Sequence, residues 1–551
     1  MSPLRGYYYV APTGLLRGLY SERSRGVTGA DERAKSRSVL RAKPRSDSSV
    51  YSVSLHSHYL NASMKKRDSQ GKKIRTPKKT AGPKKTAGNT PFYLGLKSKP
   101  KPVKKKAVKQ ERFVEEEVDE QPRFHKPFRR KSMLDDAFSR SILMALPERP
   151  ENDTVHHGLE PLAEYPYLTE QMVKVSAFTQ FWTRHGLPGE ILPLIPSPKP
   201  RAYRATTRRK VFFNGQSLML GFGDQQYLTF PKKGAMSIAK SAIEPEDHYM
   251  VFELIGKKLL TKPYQELSNA LNFLIIRDTG EKAVIFNVAE LNGEIVRKLK
   301  MLGEMLAKTT HKIVSAWIYH DPTRSDYYLD QKSLEPGTMR IKKLFGFDEL
   351  SLTINDIKFR ISPFTFSQVN VPMIKMMLAR LRAFPSSGIN PKGRTRFIDL
   401  YCGYGLFSHA LADMFSEVYG IDSSKAGIGS AKQLVERRRK IGHDIGSMHF
   451  KEAFITRSTI LSHLPHADDT SEVILLDPPR QGAANGVIGA IAKRNPVLVI
   501  HVFSVINEIE KALREWKKHG YVPVSAQAFD MFPGTPTLET IVILQPVPSN
   551  Y

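Results

Sequence analysis

Two glycines separated by one residue follow a short apolar run in Asp399-Leu-Tyr-Cys-Gly-Tyr-Gly-Leu-Phe407. Gly403 and Gly405 would let the backbone turn tightly and approach a ligand at the N-terminus of the next helix. Asp422 ends the following predicted strand, where an acidic side chain accepts both hydroxyls of an adenosyl ribose. A Gly-x-Gly pair alone is typical of any tight turn. With a strand before it, a helix after it and Asp422 beyond, it predicts a nucleoside site.

A second candidate, Asp477-Pro-Pro-Arg480, directly follows a predicted strand that begins at Glu472. Ligands of open α/β sheets bind at this edge, beyond the carboxyl ends of the strands. Two prolines fix a rigid loop with few free amide donors, which could hold a planar group beside the nucleoside. The alternative is a purely structural turn at the end of the strand.

Strands and helices alternate from residue 394 onward and would position both motifs. This pattern predicts a largely parallel, doubly wound α/β sheet. Strands are predicted at 396–400, 417–421, 472–477, 497–502, 522–529 and 540–545, with helices at 406–414, 424–440 and 506–518.

An α+β domain of about 200 residues is predicted ahead of that sheet. It contains helices at 170–186 and near 290–308, and strands at 208–213, 217–222, 273–277, 283–287 and 313–319. Basic residues 208–210 make a nucleic-acid backbone contact plausible, although loop arginines are more often only solvated. The predicted organisation is a basic extension at 1–140, this domain at 141–355 and the doubly wound domain at 356–551.

Four motifs in this order resemble the RNA uracil-5-methyltransferase family. Three are the glycine turn, Asp477–Arg480 and Asp530-Met-Phe-Pro-Gly-Thr-Pro-Thr-Leu-Glu539, and Phe364-Thr-Phe-Ser-Gln-Val-Asn370 resembles the segment that leads into the family's catalytic domain. The resemblance implies a class I S-adenosyl-L-methionine fold preceded by an RNA-facing domain. It also implies contacts to the cofactor or the target base from Gln368, Asp399, Tyr401, Gly403, Gly405, Asp422 and Asp477. Leu406 departs from the polar residue that the family has after the second glycine.

The family's catalytic cysteine is missing. Uracil C5 is too weak a nucleophile unless a thiolate adds at C6, after which a carboxylate removes the C5 proton. The resemblance places the cysteine at Val502 and the carboxylate at Glu539. Ser504 lies two residues beyond Val502, with no activating base evident in the sequence, and His501 is expected to be an ordinary strand histidine.

Cys402 is the single cysteine of the 551 residues and belongs to the glycine turn, so it is a poor substitute for the nucleophile. One cysteine also excludes a disulfide framework and a cysteine-rich metal site. His463-Leu-Pro-His466 has no evident third ligand and is interpreted as a loop, so no metal is expected. No apolar run approaches the roughly 20 residues that span a bilayer, and no membrane insertion is expected.

The net charge of +30 is concentrated in the first quarter of the chain. Residues 1–140 contain 34 Lys and Arg against 13 Asp and Glu, whereas the remainder contains 50 against 41. This extension is too polar to offset its ordering entropy by burial and favours polyanions such as RNA. Its first 50 residues are rich in Arg and Ser and resemble a mitochondrial transit peptide, which would place the protein in the matrix. The alternative is an ordinary basic tail on a cytoplasmic or nuclear protein.

These observations favour an RNA-binding relative of the uracil-5-methyltransferases that has lost C5 methylation. Its expected role is assembly of the mitochondrial ribosome on ribosomal RNA, with contacts to ribosomal or assembly proteins through the extension. The alternative is an active RNA methyltransferase whose reaction, at a nitrogen or a ribose oxygen, needs no cysteine.

Overall fold

The computed structural model describes residues 136–147, 160–222, 230–325, 340–384, 395–443 and 445–548. All of these belong to one compact unit, Val118–Tyr551. Most of the basic extension, including the predicted transit peptide, lies outside the described residues.

Eleven α-helices are found in the described residues: α1 (Ala137–Met144), α2 (Tyr167–Arg184), α3 (Glu246–Leu259), α4 (Gln265–Ala270), α5 (Gly293–Ala307), α6 (Val371–Ala383), α7 (Leu406–Ala410), α8 (Lys425–Lys440), α9 (Ile460–His463), α10 (Val487–Ala492) and α11 (Asn507–Lys518). The strands described are β1 (Glu190–Ile195), β2 (Thr206–Phe213), β3 (Leu218–Gly221), β4 (Met236–Ile238), β5 (Leu271–Asp278), β6 (Lys282–Val288), β7 (Ile313–His320), β8 (Ile341–Gly346), β9 (Leu350–Ile354), β10 (Ile357–Ile361), β11 (Thr395–Leu400), β12 (Glu417–Asp422), β13 (Ser447–Glu452), β14 (Ser471–Leu476), β15 (Leu498–Phe503), β16 (Tyr521–Phe529) and β17 (Glu539–Pro546).

The C-terminal sheet has eight strands in the order β1-β16-β17-β15-β14-β11-β12-β13. The five strands from β15 to β13 run parallel, and only β17 is antiparallel to its neighbours. The chain leaves β11 for β12 on one side and later returns to β14 on the other. This reversal opens a crevice at the carboxyl ends of β11 and β14, where open α/β sheets bind ligands. The predicted doubly wound fold is confirmed.

A second sheet of seven mixed strands, β4-β3-β2-β5-β6-β7-β8, forms the predicted α+β part. One face packs under helices α3, α4 and α5 in an apolar core around Phe286. The other face contributes Ile285 and Trp317 to a core shared with α6 and the C-terminal sheet. The two sheets are therefore joined by continuous apolar packing.

Arg209 is not available for the nucleic-acid backbone contact that residues 208–210 made plausible, and it is not solvated either. Its side chain is buried, pairs with Glu244 at 2.7 Å and donates to the carbonyl of Ala239. Strand β2 alternates its side chains, so Arg208 and Lys210 lie on the opposite face, where their cationic groups approach the Phe273 ring.

Several element boundaries also differ from the predictions. The helix expected at 406–414 ends at Ala410 and is followed by a separate 3-10 turn, Ala412–Met414. The elements that were not predicted are β1, β4, β8, β9, β10 and β13, and α1, α3, α4, α6, α9 and α10. No helix within the described residues is long and apolar enough to cross a membrane.

Candidate active site at the crevice of the C-terminal sheet

The glycine turn lies at the carboxyl end of β11 and leads into α7. Tyr401, Gly403 and Gly405 have φ angles of 66°, 56° and 79°, so three residues of this turn occupy the left-handed region. A Cβ on Gly405 would lie 3.0 Å from the Phe450 ring, which leaves no room for a side chain. A Cβ on Gly403 would meet nothing within 4 Å, so the backbone there faces open space. A ligand can approach this peptide closely.

Asp422 ends β12 and lies directly beside the turn. One carboxylate oxygen accepts a hydrogen bond from the Gly403 amide at 2.9 Å, and the other accepts from the Ser424 amide at 2.6 Å. Each carboxylate oxygen has a further lone pair, so the group can still accept from a ligand. Asp422 therefore lies at the end of its strand and beside the glycine turn, and its contact with a ribose stays a prediction.

Asp399 is fully buried beneath the turn. Its Oδ2 accepts hydrogen bonds from the Ser408 hydroxyl at 2.6 Å and the Ser408 amide at 3.0 Å, which fixes α7. Its Oδ1 is buried and has no partner among the described residues. Burial raises the pKa of Asp399 to about 7, and the charges of Asp477 and Asp422 add to that shift.

Asp477 and Glu539 bring two carboxyl groups together from different elements. Asp477 follows β14, with its amide bonded to the carbonyl of Leu400 at 3.2 Å, and Glu539 begins β17 and is 1% exposed. Burial raises the pKa of both groups, and the charge of Glu539 raises that of Asp477 further. Both carboxyls therefore release their protons less readily than in water.

Val502 lies in β15 and is completely buried. It pairs with Ile541 of β17 and lines a recess together with Pro478, Pro479 and Ser504. The recess is a cavity of about 10 Å³, the size of a single water molecule. Val502, which stands at the predicted nucleophile position, therefore lines the same recess as the Asp477–Arg480 loop. It presents only methyl groups there.

Ser504 corrects the expectation that it has no base nearby. Its hydroxyl lies 3.5 Å from Oε1 of Glu539, at the outer limit of a hydrogen bond. The other oxygen of Glu539 is buried without a partner in the described part of the chain. Ser504 and Val502 both line the recess, and the Glu539 carboxyl lies next to Ser504.

His501 points away from this site, as predicted for an ordinary strand histidine. Its Nδ1 accepts from the indole of Trp516 at 3.1 Å, and its ring stacks on Phe503 at 4.0 Å. Burial lowers the pKa of His501 to about 3, so the ring is neutral at physiological pH. Cys402 is likewise buried, and burial raises the pKa of its thiol well above the ordinary value.

Gln368 lies half-buried in the segment that enters α6. Arg277 of β5 holds this segment by donating to the Thr365 carbonyl at 2.6 Å and the Ser367 hydroxyl at 2.9 Å. Asn370 then caps α6 and donates to the carbonyl of Met531 at 3.0 Å. The segment is thereby tied both to the central sheet and to the motif that ends at Glu539.

The sequence predicted helix α2 at 170–186, but sequence reasoning missed that this helix supports that motif. Lys174 of α2 forms a fully buried ion pair with Asp530 at 2.7 Å, and Glu170 accepts from the amide of Gly534 at 2.7 Å. The sequence contained one signal of this contact. Glu170 and Lys174, four positions apart, lie on the face of α2 that buries Val173 and Phe178. Charged residues on an apolar face are buried only when they are paired.

No group of three His, Cys, Asp or Glu side chains in the described residues is arranged to hold a metal ion. His463 is the last residue of α9 rather than part of a loop.

Comparison with known proteins agrees with this geometry. A family described as tRNA (Uracil-5-)-methyltransferase matches residues 338–547. An uncharacterized RNA methyltransferase of Caldanaerobacter subterraneus subsp. tengcongensis is 27% identical over 267 residues, covering 48% of this chain and 54% of that protein. Another, from Clostridium acetobutylicum, is 26% identical over 377 residues, covering 65% of this chain and 74% of that protein. The chain thus spans about half the length of some of the relatives that it matches.

Among solved structures, the Pyrococcus abyssi tRNA (uracil-54, C5)-methyltransferase in complex with S-adenosyl-L-homocysteine aligns with a TM-score of 0.51. It is 19% identical, and the alignment covers 70% of this chain and 84% of that chain. At this identity the likeness concerns the fold. The resemblance deduced from the four motifs is confirmed, and the C-terminal part of the chain is related to RNA methyltransferases of the uracil-5 type.

Proposed function

We propose that this protein binds S-adenosyl-L-methionine and RNA but does not methylate uracil at C5. Its role is assembly of the mitochondrial ribosome on ribosomal RNA. The observation that carries the loss of C5 chemistry is Val502, which is fully buried and lines the recess beside Pro478 and Ser504.

The residues at the crevice fit the cofactor. The open space over Gly403 admits a ligand, and the Asp422 carboxylate retains lone pairs for ribose hydroxyls. Tyr401, Gln368 and Asp477 complete the set carried over from the family. When bound, the cofactor supplies a methyl group on a positively charged sulfur, and the acidic groups of the crevice favour that charge.

C5 methylation requires a nucleophile that adds reversibly to C6 of the pyrimidine. The side chain of Val502 cannot do this. The thiol of Cys402 is buried and its pKa is raised, so the reactive thiolate is disfavoured. A uracil could still be held by shape, because base flipping depends on the fit of the pocket.

One observation favours a second candidate function, methyl transfer that needs no cysteine. The Glu539 carboxyl, with its raised pKa, lies 3.5 Å from the Ser504 hydroxyl and carries a buried oxygen without a described partner. Such a group is suited to take a proton from a nitrogen or a ribose hydroxyl during methylation. This candidate keeps the cofactor and the RNA and changes only the reaction.

The RNA partner and the compartment are inferred from the sequence. The excess of positive charge in residues 1–140 favours a polyanion, and the Arg- and Ser-rich first 50 residues resemble a transit peptide. The relatives of this chain are RNA methyltransferases, and the basic extension at 1–140 would hold the protein on RNA. Both features support a role as an assembly factor on ribosomal RNA.

A methyl-transfer assay tests the proposal. The protein is incubated with methyl-labelled cofactor and with total or organellar RNA, and modified nucleosides are identified by mass spectrometry. We expect no 5-methyluridine. A methyl group on a nitrogen or ribose oxygen would establish the second candidate, whereas 5-methyluridine made by the unaltered protein would overturn the proposal.

A further inference from the structure

Helix α8 has a strong excess of positive charge, concentrated in its last turn. It carries six basic residues and a single acidic one, and its last four residues are Arg437, Arg438, Arg439 and Lys440. On α11, by contrast, each of Lys511, Arg514 and Lys518 forms a salt bridge with a glutamate three or four residues away. Three of the four basic residues of α11 are thus paired locally, whereas on α8 only Arg439 forms a salt bridge with a described residue.

A strand from another part of the chain adds to this charge. Arg360 of β10 is exposed, and α8 packs against β10. The pKa of Arg437 is lowered mainly by burial; the charge of Glu349 raises it and the charge of Arg360 lowers it, so Arg360 lies close enough to repel Arg437. Arg437, Arg360 and Lys440 form no salt bridge with any described residue, and Arg439 reaches only Glu436, at 3.7 Å.

The donors of these side chains are incompletely used within the protein. Arg438 donates one bond to the carbonyl of His409 at 2.7 Å, and Arg437 reaches Gln433 at 3.5 Å. Nη2 of Arg437 and Nε of Arg438 are buried without a partner among the described residues. The negative end of the helix dipole favours cations in the last turn, but it does not account for Arg360, which belongs to a hairpin.

We propose that Arg360, Arg437, Arg438, Arg439 and Lys440, here called the α8 patch, form a binding surface for the phosphate backbone of RNA. The exposed side chains of Arg360, Arg439 and Lys440 suit phosphate oxygens, and crowded like charges are relieved by a polyanion. The inference rests on the proposed RNA binding, but it assigns that binding to a surface separate from the crevice.

The α8 patch is remote from the site of chemistry. Helix α8 begins beside the glycine turn, where a Cβ on Gly427 would lie 2.7 Å from the Gly403 carbonyl. It runs antiparallel to the strands for 16 residues, so its basic end lies about 24 Å away, at the opposite edge of the sheet. One RNA held at both places would have to wrap around the domain, as expected for a factor that grips folded RNA.

The test uses the full-length protein with the triple variant Arg360→Gln, Arg439→Gln and Lys440→Gln. These three side chains are exposed, and none makes a hydrogen bond that the fold needs. The matched control is Arg297→Gln, Lys300→Gln and Lys511→Gln, which removes the same charge from exposed positions paired with glutamates. Affinity for a poly(U) oligonucleotide is measured across a range of salt concentrations. Cofactor binding by calorimetry verifies that each variant is folded.

We expect the patch variant to lower the slope of log affinity against log salt by about 2–3, since each phosphate contact contributes a little under one unit. The control should keep nearly the full slope. Ultraviolet crosslinking of the unaltered protein to the oligonucleotide should label the peptide that ends at Lys440. Equal slopes in the two variants, or no crosslink to α8, would overturn the α8 patch while leaving RNA binding in place.

Two other experimental outcomes would lead to different conclusions. If the unaltered protein binds no RNA, the proposed function itself fails. If the patch variant keeps its RNA slope but loses retention on immobilised poly-glutamate, the surface serves an acidic protein and the proposal is wrong.

Discussion

The ammonium of Lys174 lies 2.7 Å from Oδ1 of Asp530, and both side chains are completely buried. The pair links a helix of the N-terminal half to the motif that ends at Glu539, 356 positions later in the chain. Because Lys174 also donates to the carbonyl of Phe532 at 3.3 Å, it fixes the start of that motif as well as neutralising its acid. The position of the candidate base therefore depends on a helix outside the family's matched region.

Replacing Lys174 by Met should strongly destabilise the protein, because it leaves Asp530 as an uncompensated buried charge. We expect a loss of about 3–5 kcal/mol, read from the midpoint of urea unfolding. Lys257→Met, which removes a partner from the exposed pair with Glu253, should cost no more than about 0.5 kcal/mol. The double variant Lys174→Met and Asp530→Leu should recover part of the loss. Equal midpoints for the two single variants would contradict a structural role for the buried pair.

Replacing Asp422 by Ala should weaken cofactor binding. The carboxylate holds the Gly403 amide and would accept from the ribose, so its loss leaves polar groups unpaired at a cost of about 1–3 kcal/mol. Calorimetric titration with S-adenosyl-L-methionine measures the change, with the exposed Asp469→Ala as control. If the unaltered protein shows neither heat nor a thermal shift at saturating cofactor, the crevice does not bind it.

Asp399 should make the protein less stable as the pH rises through neutrality. Its folded-state pKa is about 7 against an ordinary value of 3.8, so the folded state holds a proton that the unfolded state has released. Stability from this group is therefore present below about pH 4 and lost as the pH rises to about 7. His409 and His501 act in the opposite sense, because burial lowers the pKa of each to about 3.

The difference between the unaltered protein and Asp399→Asn isolates this contribution. Asparagine can still accept the hydrogen bonds from Ser408, but it does not titrate. Between pH 5 and pH 8 the melting temperature of the variant should therefore fall less than that of the unaltered protein. The exposed Asp469→Asn serves as control. Parallel melting curves for Asp399→Asn and the unaltered protein would show that Asp399 is already ionised at pH 5.

The basic extension should dominate the salt dependence of RNA affinity. Residues 1–130 contain 32 Lys and Arg against 11 Asp and Glu, and their removal leaves α1 and its capping residue Asp136 intact. We expect deletion to flatten the plot of log affinity against log salt, leaving the smaller slope of the body. An unchanged slope would assign nearly all phosphate contacts to the described domains.

Local patterns sufficed to predict the glycine turn, the parallel strands and Asp422, since each depends on residues near one another in sequence. Strand β1 was missed because Pro193 in Glu190–Ile195 argues against a strand; it is tolerated at the sheet edge, where only β16 is a neighbour. The approach of Ser504 to Glu539 joins two strands whose antiparallel pairing is set by tertiary structure. No sequence periodicity reveals such a contact.

The protein should form no covalent adduct with RNA that contains 5-fluorouridine. Such an adduct requires a nucleophile at C6, and Val502 offers none, while Ser504 is an alcohol that lies 3.5 Å from the Glu539 carboxyl, at the limit of hydrogen bonding. Val502→Cys places a thiol in the recess beside Pro478 and should allow an adduct that is stable to denaturing gel electrophoresis.

Val499→Cys is the matched control for that variant. It puts the same residue, equally buried, on the same strand but on the opposite face of the sheet, so it should remain unreactive. An adduct with Val502→Cys alone would show that a pyrimidine reaches the recess and that only the nucleophile is missing. An adduct with the unaltered protein, mapped to Ser504 by mass spectrometry, would instead mean that the serine and Glu539 have taken over the addition step, and the proposed loss of C5 chemistry would be wrong.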